Sequence, residues 1–227
     1  ASDTDTCYNI GVGYKSACTL NEGDHNVFLG SYSGECATNG GCNVAIGYSA
    51  GKCSYNNSSQ IFIGRGAGVN ASSSGGLCAN SIAIGAWAGG CKSHYDVFIG
   101  YHAGCSNVDG KYNVILGSAV GTGVTDGCCN IMIGRLTGCS VTTGNKNIFL
   151  GERAGQCVTS SCKNIFIGDY AGYSVSTFAA VGAENIVMGS GAGMCLGANA
   201  VRNIMIGSGA GETLKSGCCN IAIGPYA

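Results

Sequence analysis

Asn43-Val44-Ala45-Ile46-Gly47-Tyr48-Ser49-Ala50-Gly51 is one copy of a pattern that runs through the whole chain. Its core, Asn-(Ile/Val)-x-(Ile/Leu/Val/Met)-Gly, starts at Asn9, Asn26, Asn43, Gln60, Ser81, Asp96, Asn113, Asn130, Asn147, Asn164, Asn185, Asn203 and Asn220, thirteen copies in 227 residues. Eight of the twelve intervals are 17 residues and the others are 21, 15, 21 and 18, so the repeat, not any single segment, specifies the fold. In most copies the closing glycine opens a second cluster, Gly-x-x-(Ala/Ser/Thr/Val)-Gly. Each unit reads as a short strand, a glycine turn and a polar return.

A strand this short buries nothing alone, but stacked at about 4.8 Å per coil it finds backbone partners above and below. The expected architecture is all-β: a parallel β-solenoid (β-roll or β-helix) of about 13 coils, roughly 60 Å long, as a single repeat domain over residues 1–227. Long helices are excluded by the 41 glycines, each of which costs about 1 kcal/mol against alanine inside a helix. Glycine closes all thirteen copies, whereas asparagine opens only ten of them. That difference predicts a positive-φ corner with a strict steric limit at the glycine and an amide ladder along the asparagines.

Alternation along the strand separates two faces. The slots after Asn and before Gly are always aliphatic, and they are expected to line the interior. The middle slot holds Phe28, Phe62, Phe98, Ile115, Met132, Phe149 and Phe166, including five of the six phenylalanines. It is then expected to face outward as an apolar stripe, a candidate assembly interface. Two intervals, Gln60 to Ser81 and Asn164 to Asn185, carry four extra residues and are expected to form surface loops.

Charge and composition narrow the function. Only 10% of residues are charged, against about 25% in an ordinary domain, and 11 basic and 12 acidic side chains leave a net charge of -1. This balance gives no electrostatic basis for nucleic-acid binding, and no run reaches the roughly 20 apolar residues of a membrane span. The start of the chain, Ala1 to Thr6, has neither a basic nor an apolar stretch of the kind that opens a signal peptide.

Sixteen cysteines point to an oxidising setting, a virion surface or the extracellular space. Cys18, Cys36, Cys53, Cys91, Cys105, Cys139, Cys157 and Cys195 follow the strand glycine by five or six residues. Cys7, Cys42, Cys78, Cys128, Cys129, Cys162, Cys218 and Cys219 precede the asparagine slot by one to three. Cys7 with Cys18, Cys42 with Cys53 and Cys129 with Cys139 enclose similar segments and are candidate disulfide staples, with Cys78 and Cys91 as further candidates. Spacing leaves the connectivity open.

Other chemistry is weakly supported. Cys91, His94, His102 and Cys105 have zinc-like spacing, yet both cysteines sit in slots that carry cysteine in other coils, so no metal or other cofactor is expected. Asp24, Asp96, Asp109, Asp126 and Asp169 fall in unlike slots, which argues against calcium ladders. His25, His94 and His102 have no consistent acidic partner, and the chain is not expected to be an enzyme. Asn56, Asn57 and Asn70 meet the Asn-x-(Ser/Thr) rule for glycosylation.

The stretch Thr143-Gly144-Asn145-Lys146-Asn147-Ile148-Phe149-Leu150-Gly151-Glu152-Arg153-Ala154-Gly155-Gln156-Cys157 resembles the cysteine-rich Asn-x-Phe-Leu-Gly-x-x-Ala-Gly repeats of phage tail-fibre and virion structural proteins, notably those of cyanophages. More distantly, Ser81-Ile82-Ala83-Ile84-Gly85 is similar to the head β-roll of trimeric autotransporter adhesins, whose coil is shorter. These resemblances imply a structural or adhesive fibre subunit, trimeric or filamentous, that associates with itself and meets a host-surface glycan or receptor. The pattern begins at Asn9 and still runs at Gly224-Pro225-Tyr226-Ala227, so head-to-tail stacking is also expected. The rival reading, an ice-binding solenoid, calls for a regular outward column of Thr or Tyr, and Thr142, Thr143, Thr159 and Thr177 form no such column.

Overall fold

The computed structural model describes residues 7–52, 58–69, 80–90, 94–173 and 181–227. Among them every motif copy forms a three-residue strand and no residue is helical. The chain is a parallel β-solenoid, and its contacts gather in two units, residues 1–111 and 112–227. In the first unit β1 (Ile10–Val12), β2 (Val27–Leu29), β3 (Val44–Ile46), β4 (Ile61–Ile63), β5 (Ile82–Ile84) and β6 (Val97–Ile99) pair in sequence order, parallel and in register.

The second unit repeats this with β7 (Val114–Leu116), β8 (Ile131–Ile133), β9 (Ile148–Leu150), β10 (Ile165–Ile167) and β11 (Ile186–Met188). After β12 (Asn199–Val201) the column resumes at β13 (Ile204–Ile206); after β14 (Ser216–Cys218) it ends at β15 (Ile221–Ile223). Strands β12 and β14 pair with each other as a separate two-stranded ladder.

Burial reverses the expected faces. Phe28, Phe62, Phe98, Ile115, Met132, Phe149 and Phe166, read from sequence as an outward interface, are all buried and form the core. The reason is the narrowness of the coil. The middle residue of each strand points at the turn of its own coil, where a β-carbon on Gly34 would stand 2.3 Å from the Phe28 ring and one on Gly172 2.4 Å from Phe166. The turn glycine therefore makes room for the ring, and its neighbours Ala67, Ala103, Ala154 and Ala171 are fully buried beside it. In register, Phe62 lies between Ala45 and Ala83, so the large–small alternation is the interior's own packing.

The strand glycines meet the predicted steric limit. Gly134 has φ 139°, and a β-carbon there would stand 2.5 Å from the carbonyl oxygen of Gly151 in the next coil. The asparagines form the predicted ladder. Asn147 donates its backbone N–H (3.0 Å) and its Nδ2 (3.1 Å) to Asn130 Oδ1, donates Nδ2 again to the Ser161 carbonyl (2.8 Å), and accepts the Asn164 N–H on Oδ1 (3.0 Å). The left-handed corner falls one residue earlier than asparagine in every copy, from Tyr8 to Cys219, with φ between 56° and 63°. None of those thirteen residues is β-branched, as this conformation requires.

Candidate functional site

With the middle slot inside, the two flanking aliphatic columns are turned outward. Ile131 and Ile133 are 38% and 40% exposed, Ile99, Met188 and Ile206 are similarly open, and Leu29, Ile46, Leu116 and Leu150 are half-buried. Each strand of the motif column presents two such side chains, so the outer face of that column is aliphatic from strand to strand within each unit. Side chains at one strand pitch shield one another, which is why exposure stays partial in the middle of a sheet. It rises to 67–69% at Ile223 and Ile221 of β15. Beside that strand, Met205, Leu214, Ala222 and Ala227 help line an open cavity of about 400 Å³.

The turns carry a different chemistry. In the first unit Tyr14, Tyr48 and Tyr101 follow the strand glycine directly and are 63%, 55% and 57% exposed. Tyr32 lies edge-on between the first two, with ring centroids 5.4 Å from Tyr14 and 5.7 Å from Tyr48. Lys52 Nζ sits 5.1 Å from the centre of Tyr32, and Lys15 Nζ lies 5.8 Å from Tyr14 and 5.9 Å from Tyr32. Glu35 ties both cations, at 3.0 Å to Lys52 and 3.6 Å to Lys15. The hydrogen bond from Lys52, with the charges of both lysines, holds the Glu35 carboxyl below the usual range against the opposing effect of burial. Further along, Trp87 covers Gly66, where a β-carbon would stand 2.6 Å from the indole, and Arg65 lies 5.6 Å from that ring.

The second unit fills its turns and corners with charge. Arg135 pairs with Glu152, and Glu184 sits between Arg202 (2.8 Å) and Lys163 (3.1 Å). Hydrogen bonds from Arg202 first and Lys163 second, with their charges, pull the Glu184 carboxyl down.

The cysteines are arranged differently from the expected staples. No disulfide joins the described cysteines, so neither Cys7 with Cys18 nor Cys129 with Cys139 is bridged. The post-turn thiols point along the stack: Cys18 Sγ lies 3.4 Å from the Glu35 carbonyl and Cys139 Sγ 3.8 Å from that of Gln156, each in the next coil. Burial, and then the neighbouring Cys139, pushes the Cys157 thiol up. Cys53, Cys78 and Cys91 of the candidate pairs lie outside the described residues, as do Asn56, Asn57 and Asn70.

Of the zinc-like set, His94, His102 and Cys105 are described and Cys91 is not. Burial, then Lys111, lowers the His94 pKa against the pull of Asp109. Among the described residues no three His, Cys, Asp or Glu side chains converge as metal ligands. Three buried polar side chains, Gln60, Ser81 and Asp96, interrupt the amide ladder. Gln60 has neither amide atom hydrogen-bonded, and Asp96 accepts Asn107 Nδ2–H at 3.1 Å. Sequence reasoning missed both the outward aliphatic columns and the tyrosine cluster.

Compared with known proteins, the chain matches no family model, no curated protein sequence and no solved structure.

Proposed function

We propose that the chain is a self-associating structural subunit of a virion or extracellular fibre, and that copies meet through the outward aliphatic face of the sheet. The observation that carries this reading is the double column typified by Ile131 and Ile133, partly exposed and unbroken by charge from β7 to β15. Fourteen such side chains on the second unit, at roughly 50 Å² each, offer about 700 Å², close to the ~800 Å² that one partner contributes to a standard interface. A parallel sheet normally has both faces covered, and here one face is covered by the coil itself.

Sedimentation velocity on the wild type and on an Ile131→Ser/Ile133→Ser/Ile165→Ser variant tests the lateral contact. The expected result is an oligomeric wild type and a smaller variant that keeps its β circular-dichroism spectrum. A wild type that stays monomeric at high concentration overturns the reading. If that monomer also depresses the freezing point below the melting point, the aliphatic face belongs to an ice-binding surface instead.

A further inference from the structure

The tyrosine cluster of the first unit is not required by the fold. The slot directly after the strand glycine holds Tyr14, Tyr48 and Tyr101 in three coils of the first unit and Ser31, Arg65 and Ala86 in its other three, against Ser118, Arg135, Glu152, Asp169, Ser190, Ser208 and Pro225 in the second unit. The strands before these slots have the same three-residue form in both units. A polar side chain therefore satisfies the coil, and the exposed phenol rings need another reason. Their surroundings are equally specific. Tyr32 is wedged between Tyr14 and Tyr48, and Lys15, Glu35 and Lys52 form a closed ion-paired set over the rings. The rings are thus held in place before any partner arrives, which lowers the ordering cost of binding.

We propose that this cluster is a carbohydrate-binding site for an extended β-1,4-linked pyranose chain lying along the stacking direction. A pyranose has a face of C–H groups and a rim of hydroxyls. Exposed aromatic faces accept the first, and the Glu35 carboxylate, the Lys15 and Lys52 ammonium groups and the phenol hydroxyls accept or donate to the second. Tyr14 and Tyr48 sit two coils apart, about 9.6 Å along the stack, which suits alternate sugars of an extended β-1,4 chain. Tyr101 occupies the same slot three coils beyond Tyr48, with Arg65 and Ala86 in the slots between, so the proposed site is the Tyr14–Tyr32–Tyr48 cluster. Nucleic acid fits less well, because Glu35 neutralises one of the two lysines and, among the described residues, no further cation lies against the Tyr14, Tyr32 and Tyr48 rings. An apolar protein surface fits less well too, since charged groups interrupt the rings. The site is separate from the aliphatic sheet face and does not depend on it.

Native affinity electrophoresis tests the proposal, with hydroxyethyl cellulose and glycol chitin as β-1,4-linked probes and dextran as the α-linked control. At least one β-1,4 polymer is expected to retard the wild-type protein, and dextran is expected to leave it unchanged. A Tyr14→Ala/Tyr48→Ala variant should lose affinity at least tenfold while keeping its β spectrum and sedimentation coefficient. Arg135→Ala, in the matching slot of the second unit, should bind like the wild type, and so should the Ile131→Ser/Ile133→Ser/Ile165→Ser variant. Retardation by neither β-1,4 polymer, equal retardation by dextran, or an unaltered double-tyrosine variant overturns the assignment. Tighter binding to oligo-dT than to either polymer would give the rings to a single-stranded nucleic acid and likewise overturn it.

Discussion

Phe149 and Phe166 stack inside the solenoid, ring centroids 5.0 Å apart and planes 12° from parallel, one coil above the other. Both side chains are fully buried, so they hold coils together and cannot serve a partner. Phe149→Ala should cost about 3–5 kcal/mol of stability by chemical denaturation. The folded fraction should keep the wild-type association state, which separates this core change from substitutions on the outward columns.

The glycine column offers a cleaner comparison. Gly134 and Gly224 both have positive φ, 139° and 122°, but only Gly134 has a neighbour in the way of a β-carbon, the Gly151 oxygen at 2.5 Å; around Gly224 nothing lies within 4 Å. Gly224→Ala should lose about 1–3 kcal/mol from backbone strain. Gly134→Ala should lose several kcal/mol more, because backbone must move to admit the methyl group. Equal melting temperatures for the two variants would show that strain, not the stacking clash, fixes the column.

Asn147 holds four hydrogen bonds, and replacing it with alanine strands buried partners in two adjacent coils. A loss of about 2–4 kcal/mol is expected. Asn147→Asp makes the same point through pH. A carboxylate facing the Asn130 Oδ1 and the Ser161 carbonyl favours its protonated form, so its folded pKa lies above the unfolded one. The deficit is then greatest at neutral pH and shrinks as pH falls through the folded pKa. Thermal melts of this variant at neutral and acid pH, each against wild type, read the effect.

Glu184 gives the opposite slope. Arg202 and Lys163 hold its folded pKa down, so its contribution is complete above the unfolded glutamate pKa and disappears as pH drops through the lower folded value. The wild type should melt slightly above Glu184→Gln at neutral pH. The gap should close in acid and also in high salt, since the ion pairs are exposed.

The period, the strands and the glycine column could be read directly because thirteen imperfect copies expose what each slot tolerates. The facing of the strand could not, because alternation separates two faces without saying which is inside. The deciding signal was a longer spacing. Phe28 precedes Gly34, Phe62 precedes Gly68, Phe98 precedes Gly104, Phe149 precedes Gly155 and Phe166 precedes Gly172, each by six residues. A ring followed at fixed distance by an absent side chain is a contact inside one coil. The tyrosine cluster was hidden for another reason: Tyr14, Tyr32 and Tyr48 are 18 and 16 residues apart, straddling the period, and only the turn geometry brings them together. The direction of the thiols could not be read either, because spacing along the chain does not report that Cys18 and Cys139 point toward the next coil.

The left-handed corner residues before the asparagine slot have a practical meaning for anyone wishing to decorate this protein. Tyr, His, Cys, Ser, Asn, Lys, Glu and Arg all occupy that position, so the site constrains the backbone and leaves the chemistry of the side chain open, provided it is not β-branched. Within each unit, coil after coil offers one such peg at the pitch of the strand ladder. A dye, a catalyst or a mineral-nucleating group attached there would be spaced by main-chain hydrogen bonds instead of by a flexible tether, giving a molecular ruler graduated in single coils.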